Sequence, residues 1–170
     1  MRYWLFKSEP DAFSIDALAS APRRTSHWDG VRNYQARNMI RDGMKRGDLG
    51  FFYHSSCAEP GVVGVVRVAR EGYPDHTAFD PDSKYFDADS DPSDPRWFMV
   101  DVQLVRKFAH PVTLDVLRRH AGGELRDMLV LRRGNRLSIT PVTEQQWRFI
   151  NSLAGEPLDD SARRRGKKAT

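Results

Sequence analysis

The sequence predicts a domain of the α+β class, in which β-strands and short α-helices share one core. The chain of 170 residues has the usual length of a single domain. Its composition, 39% hydrophobic and 29% charged, lies in the range of globular proteins and is too apolar for disorder throughout. Segments of period-two alternation, typical of strands, are interspersed with segments of helical spacing. The two periodicities together indicate a mixed domain with a packed core.

The first part of the chain predicts one strand and two helices. Residues 1–8 alternate as in a strand, and Pro10 ends that strand. Ser14 is placed to cap a short helix that closes before Pro22. Apolar residues at helical spacing then predict a helix over residues 33–45. Its opposite side carries cations four residues apart, which are Arg37, Arg41 and Lys45.

The second part predicts four strands and two helices. Alternating and valine-rich runs place the strands over residues 48–54, 62–70, 97–108 and 136–140. Thr113 is placed to cap a helix that reaches His120. Thr143 and Gln146 form a capping box in front of the last helix. We predict a domain over residues 1–153, followed by a disordered basic tail over residues 154–170.

A long connection without a regular pattern covers residues 73–95. It carries seven aspartates, and loops of this length are usually functional or disordered. Asp87, Asp89 and Asp91 alternate as in a calcium-binding loop, but the glycine and the distal glutamate that such a loop needs are missing. We therefore expect no calcium site in this connection.

Motifs of the common enzyme classes do not occur in the chain. There is no G-x-S-x-G, no phosphate-binding P-loop and no dinucleotide-binding G-x-G-x-x-G. The five histidines lack the i, i+4 spacing of a metal site, and Cys57, the single cysteine, is interpreted as structural or incidental. We expect no catalytic residue, no metal and no cofactor.

Aromatic and short polar residues concentrate at the predicted strand ends and loops. They include Trp4, Trp28, Tyr34, Tyr53, His54 and Trp97, with Lys7, Ser8, Asn33, Arg37, Asn38 and Ser55 between them. This mixture suits a flat ligand, because a nucleic-acid base stacks on aromatic rings while polar groups contact its edge. On composition alone, a place in the core or at its rim is the commoner explanation of these tryptophans. The net charge of +4 fits a polyanionic partner, although half of it lies in the tail.

Six segments in order resemble the EVE domain family, which belongs to the PUA-like superfamily and is related to YTH and ASCH domains. The segments are YWLFKSEP at 3–10, WDGVRNYQARN at 28–38, GDLGFFYHSS at 47–56, GVVGVVRV at 61–68, DPRWFMVDV at 94–102 and LRRGNRLSITPVT at 131–143. They span nearly all of the first 153 residues. The resemblance implies a PUA-like pseudo-barrel of mixed strands surrounded by short helices, with a pocket for a modified base in DNA or RNA.

The resemblance also implies which residues form that pocket. Trp28 matches the tryptophan that stacks on the base, and Trp97 is expected to be the second stacking wall. Asn33 is expected to contact the edge of the base through its amide. The base-binding residues implied in this way are Lys7, Ser8, Trp28, Asn33, His54, Ser55 and Trp97. Further pocket or phosphate contacts are expected among Trp4, Arg32, Tyr34, Arg37, Asn38 and Arg41.

These observations together predict a non-catalytic module that reads a modified base, a modified cytosine or a similar one, by stacking it in an aromatic pocket. Its partner would be DNA or RNA containing that base. The chain shows no membrane segment, and we expect a cytoplasmic protein, with a monomer favoured over an oligomer. One alternative is an enzyme acting on modified bases or nucleosides, with His54 as general base and Asp29 or Glu9 as its partner. Another is a small-molecule or protein-interaction module on the same scaffold.

Overall fold

A computed structural model describes residues 1–155 and shows one mixed six-stranded sheet with four short α-helices. The strands are β1 (Tyr3–Ser8), β2 (Thr25–Trp28), β3 (Leu49–His54), β4 (Gly61–Pro74), β5 (Phe98–Thr113) and β6 (Ile139–Val142). The helices are α1 (Ile15–Ser20), α2 (Tyr34–Asn38), α3 (Leu114–Arg119) and α4 (Glu144–Leu153). The sheet order is β2-β5-β4-β3-β1-β6, and β1 runs parallel to β3 while the other neighbours are antiparallel. The α+β prediction is confirmed.

The sheet is curled, as in a pseudo-barrel. Strands β2 and β1 are four positions apart in the sheet, which in a flat sheet would separate them by about 19 Å. The rings of Trp28 on β2 and Phe6 on β1 nevertheless have centroids only 5.3 Å apart. Ile139, from the opposite edge strand β6, joins the same buried cluster. Register shifts along the long β4–β5 pair supply the bends that this curvature needs.

Two apolar clusters cover the two faces of the sheet. The inner cluster combines Trp4 and Phe6 with residues of α1 and α2, as the alternation in the first strand predicts. The outer cluster contains Leu5 from the opposite face of β1 and is covered by α3 and α4. Trp147 of α4 stacks on Phe51, with ring centroids 4.2 Å apart. Both faces of the central strands are therefore buried.

The second helix departs from its prediction. It is α-helical over Tyr34–Asn38 and continues as a π-helical turn over Met39–Gly43, so Lys45 lies beyond it. The chain leaves the helix early because Asp48, which is buried, accepts hydrogen bonds from the backbone of Lys45 and from the indole of Trp4. The predicted row of three cations is thus reduced to Arg37 and Arg41 on the helix.

The remaining helices and strands are of the predicted type, and one strand, β2, was not predicted. Thr113 caps α3, and the capping box of Thr143 and Gln146 at α4 is confirmed. The last strand lies at Ile139–Val142, slightly later than predicted. Strand β2 was not predicted, because its four residues pair only with β5, and the sequence does not reveal that partner. From residue 156 onward, the predicted basic tail lies outside the described residues.

Candidate functional site

A cavity opens where β1 and β2 end, and it encloses about 650 Å³. Pockets that hold small molecules or single bases usually fall in this range of volume. Four stretches of chain supply its lining, which consists of Lys7, Ser8, Glu9, Ala12, Phe13, Ser26, His27, Trp28, Asp29, Gly30, Val31, Lys84, Tyr85 and Ser138. The cavity is therefore built from the end of β1 with the turn before α1, the end of β2 with the segment after it, the long acidic connection, and Ser138 in front of β6.

The inner wall of the cavity is aromatic. Trp28 lines it and is only 7% exposed, since its ring makes edge contacts with Phe6, Phe13 and Phe52 at centroid distances of 5.3, 6.0 and 5.4 Å. The Ser8 hydroxyl donates a hydrogen bond to the carbonyl of Phe13 at 2.8 Å. This bond ties the turn that carries Phe13 to the end of β1. Trp28 is thus both a core residue and part of the wall.

The segment after β2 is held by a buried carboxylate. Asp75 is fully buried and accepts hydrogen bonds from the Gly30 amide at 2.8 Å and from Arg32 Nη1 at 3.0 Å. It also accepts from the backbone and the hydroxyl of Thr77. Burial opposes ionisation of Asp75, but these hydrogen bonds outweigh it and hold the pKa of Asp75 below its ordinary value. One carboxylate therefore joins the cavity wall to the start of the acidic connection.

Tyr85 closes another side of the cavity against Gly30. A β-carbon on Gly30 would lie 2.5 Å from the Tyr85 ring, and Gly30 has a φ of +75°, which favours glycine. Arg32 donates to the carbonyl of Tyr85 at 2.7 Å and packs its guanidinium near the same ring. The acidic connection is therefore docked on the segment after β2, at the cavity.

Other aspartates of the connection form its turns. Asp80, Asp87 and Asp91 each accept a hydrogen bond from the backbone amide two residues ahead, as in Asx turns. Asp87 also accepts from the Trp97 indole at 2.7 Å and contacts Arg96 at 3.3 Å. These bonds hold the pKa of Asp87 below its ordinary value, the largest effect coming from Trp97. The density of aspartates reflects local turn formation.

Charged groups of both signs stand around the cavity. Lys7 and Lys84 contribute cations, whereas Glu9 and Asp29 contribute carboxylates. Asp29 lies 3.5 Å from Nε2 of His27, which also lines the cavity. An entering ligand thus meets cations that suit a phosphate and a carboxylate that accepts hydrogen bonds from an amino group.

The structure brings together three of the seven base-binding residues expected from the sequence. Lys7, Ser8 and Trp28 line the cavity, and Asn33, His54, Ser55 and Trp97 are not among its lining residues. The Asn33 side chain caps α2 by accepting from the Ala36 amide, and the Ser55 amide donates to the Ser8 carbonyl. Nε2 of His54 accepts from the Ile15 amide at 3.1 Å, and burial lowers the pKa of His54. Trp97 is buried beneath Tyr34.

The six residues given looser roles lie outside the cavity lining as well. Trp4 is a buried core residue, and Arg32 is occupied by Asp75 and Tyr85. Arg41 pairs with its neighbour Asp42 at 2.8 Å. On α2, Tyr34 and Asn38 are exposed and Arg37 is half-buried, and Arg37 donates to the Asn38 side chain and packs against the Tyr34 ring.

Sequence reasoning missed several lining residues. Asp29 and Gly30 directly follow Trp28 in the matched segment at 28–38. Their closeness to Trp28 in the sequence could have identified them as lining residues. Lys84 and Tyr85 had no local signal, because only the fold brings the acidic connection back to the cavity. Within residues 1–155, no helix is long and apolar enough to cross a membrane.

Comparison with known proteins gives one consistent result. Residues 2–153 match the sequence profile of the EVE domain. Thymocyte nuclear protein 1 of Homo sapiens is 43% identical over 166 residues, which cover 89% of this chain and 73% of that protein. A crystal structure of human THYN1 protein in complex with 5-methylcytosine-containing DNA superposes with a TM-score of 0.87 at 41% identity, covering 92% of this chain and 99% of that one. An ASCH protein from Zymomonas mobilis, 11% identical with a TM-score of 0.54, shares the fold alone. The chain belongs to the EVE domain family.

Proposed function

We propose that this protein is a non-catalytic DNA-binding module that reads 5-methylcytosine and holds that base in the cavity between the ends of β1 and β2. The observation that carries the proposal is the solved relative in complex with 5-methylcytosine-containing DNA, whose fold matches over nearly its whole length. The cavity of this chain supports the proposal independently, because its volume suits one extruded base and its walls combine aromatic rings with polar groups.

The lining residues match the chemistry of a methylated cytosine. Trp28, Phe13 and Tyr85 supply aromatic surface on which the base and its methyl group can be buried. Asp29 supplies a carboxylate, the group that accepts from the N4 amino group of cytosine. Lys7 and Lys84 place positive charge at the cavity for the phosphates of the same strand. In this proposal the second stacking wall is Tyr85, which replaces Trp97.

The hydrogen bonding of His54 favours binding without catalysis. The enzyme alternative needs this side chain as a general base, but its Nε2 already accepts a hydrogen bond from the Ile15 amide. His54 is also not among the residues that line the cavity. The nitrogen that would accept a proton in such a reaction is therefore occupied by the first backbone amide of α1.

The test compares strands that carry cytosine or 5-methylcytosine at one position, measured by fluorescence anisotropy at fixed salt. Burial of one methyl group corresponds to about a fourfold preference for the methylated strand. Asp29→Asn should weaken binding of the methylated strand by about five- to tenfold, because the neutral amide oxygen of asparagine is a weaker acceptor than a carboxylate. This loss opposes the general electrostatic trend, since removal of a negative charge favours binding to a polyanion.

The matched control is Asp115→Asn, which makes the same change of charge at an exposed position of α3, away from the cavity. It should bind both strands at least as well as the wild type. Equal binding of both strands by the wild type, together with unchanged affinity of Asp29→Asn, would contradict the proposal.

A further inference from the structure

An exposed aromatic ring stands outside the cavity on a rigid support. Tyr34, the first residue of α2, is 53% exposed. Its ring stacks on Trp97 at a centroid distance of 5.0 Å with an interplanar angle of 29°. Trp97 is buried and fixed by the hydrogen bond from its indole to Asp87 at 2.7 Å. The Tyr34 ring is thus held in place while more than half of the residue faces solvent.

Positive charge accompanies this ring. The guanidinium carbon of Arg37 lies 4.9 Å from the centre of the Tyr34 ring. The Arg37 side chain is positioned by hydrogen bonds to the Arg96 carbonyl and to Asn38, both at 2.9 Å, and neither acceptor carries a charge. Asp42, a carboxylate that interacts with the charge of Arg37, is itself paired with Arg41 at 2.8 Å. The charge of Arg37 is therefore available to a phosphate.

A chain of contacts links Tyr34 to the cavity. Trp97, beneath Tyr34, lies 5.4 Å from the Arg32 guanidinium, which lies 5.6 Å from the ring of Tyr85 in the cavity wall. Arg32 itself is anchored on Asp75. The exposed ring and the cavity are consequently parts of one packed unit, joined through three successive contacts of 5.0, 5.4 and 5.6 Å.

We infer that Tyr34 and Arg37 form a second nucleotide site, in which a base adjacent to the one held in the cavity stacks on the solvent-facing layer formed by the Tyr34 ring and the Arg37 guanidinium, and Arg37 also contacts the phosphate between the two bases. This inference rests on the proposed function and extends it from one base to the flanking sequence. An exposed aromatic ring beside an arginine is the usual composition of a stacking platform for single-stranded nucleic acid. Because every base has a face that stacks, the site accepts any flanking base.

The test uses single strands with one 5-methylcytosine in which a neighbouring nucleotide, on either side in turn, is replaced by an abasic one. The wild type should lose about five- to tenfold in affinity when the base that stacks on Tyr34 is absent. Tyr34→Ala should show the same loss on the intact strand and no further loss on that abasic strand. Tyr34→Phe, which keeps the ring, should bind within about twofold of the wild type.

The matched control is Phe86→Ala, which removes another exposed aromatic side chain, 43% exposed, from the acidic connection. It should behave as the wild type on every strand. Thermal melting of each variant shows that the fold is intact. The inference is overturned if Tyr34→Ala binds the intact strand with the same affinity as the wild type. It is also overturned if the wild type and Tyr34→Ala lose affinity equally on the abasic strands while both still prefer 5-methylcytosine. Absence of that preference in the wild type overturns the proposed function instead.

Discussion

The substitution Asp75→Asn tests whether the Asp75 carboxylate holds the cavity wall and the acidic connection together. The two carboxylate oxygens of Asp75 accept four hydrogen bonds between them. One oxygen accepts from Gly30 and Arg32, and the other accepts from the backbone amide and the hydroxyl of Thr77. Asp75→Asn keeps the shape of the side chain but turns one oxygen into an amino group. In one orientation the amino group faces the Gly30 amide and Arg32, and in the other it faces the Thr77 amide while the Thr77 hydroxyl can turn to accept from it. The substitution therefore removes at least one hydrogen bond from a fully buried position, together with the negative charge that pairs with Arg32.

The size of the effect follows from the kinds of bond that are lost. A hydrogen bond between charged groups contributes about 1.5–3 kcal/mol and a neutral one about 0.5–1.5 kcal/mol. Arg32 retains 23% exposure of its side chain and recovers part of its hydration, so we expect a loss of about 3 kcal/mol. For a domain of this size, that loss lowers the melting temperature by about 6–12 °C.

Thermal unfolding followed by circular dichroism measures this change directly. Asp42→Asn is the matched control, because it disrupts an exposed ion pair with Arg41 and should leave the melting temperature almost unchanged. The pKa of Asp75 is held below its ordinary value, so its contribution is present above about pH 4 and is lost as the pH falls through the folded-state pKa. The difference between wild type and Asp75→Asn should therefore shrink on acidification. A variant that melts within about 2 °C of the wild type at neutral pH would refute the reasoning.

Two further predictions concern the cavity wall and the start of α1. Gly30→Ala should destabilise the protein by about 2–3 kcal/mol and weaken DNA binding, because its β-carbon would collide with the Tyr85 ring at a positive φ. Gly134→Ala, at a φ of +78° with open space around it, should cost only about 1 kcal/mol in urea unfolding, and equal costs would disprove the collision. Since burial lowers the pKa of His54, its neutral form favours folding, and stability should fall as the pH drops below about 6.5. His54→Gln, which keeps an acceptor for the Ile15 amide, should reduce this fall in denaturant titrations between pH 7 and 5, and an identical profile would argue against the assignment.

The cavity shows how far the sequence could predict the site. Lys7, Ser8 and Trp28, which the sequence assigns to one pocket, do line one cavity, and each stands in a short matched segment at a strand end. Trp97 stands in an equally good segment, yet it lies under Tyr34. A matched motif locates a tryptophan in the chain, but a tryptophan can belong to a packed support as well as to a pocket wall. Which of the two applies depends on the residues that cover it.

Local patterns determined most of the secondary structure by themselves. Alternation in β1 determined which of its residues face each cluster, and the capping box determined where α4 begins, because both effects act between residues close in the chain. The early end of the second helix, the short strand β2 and the docking of Tyr85 on Gly30 were decided only by the tertiary structure. Each depends on a contact with a residue distant in sequence: Asp48 with Trp4, β2 with β5, and Asp75 with Gly30. Such contacts leave no periodicity in the chain, because the energy that selects them comes from burial and hydrogen bonding after the sheet has curled.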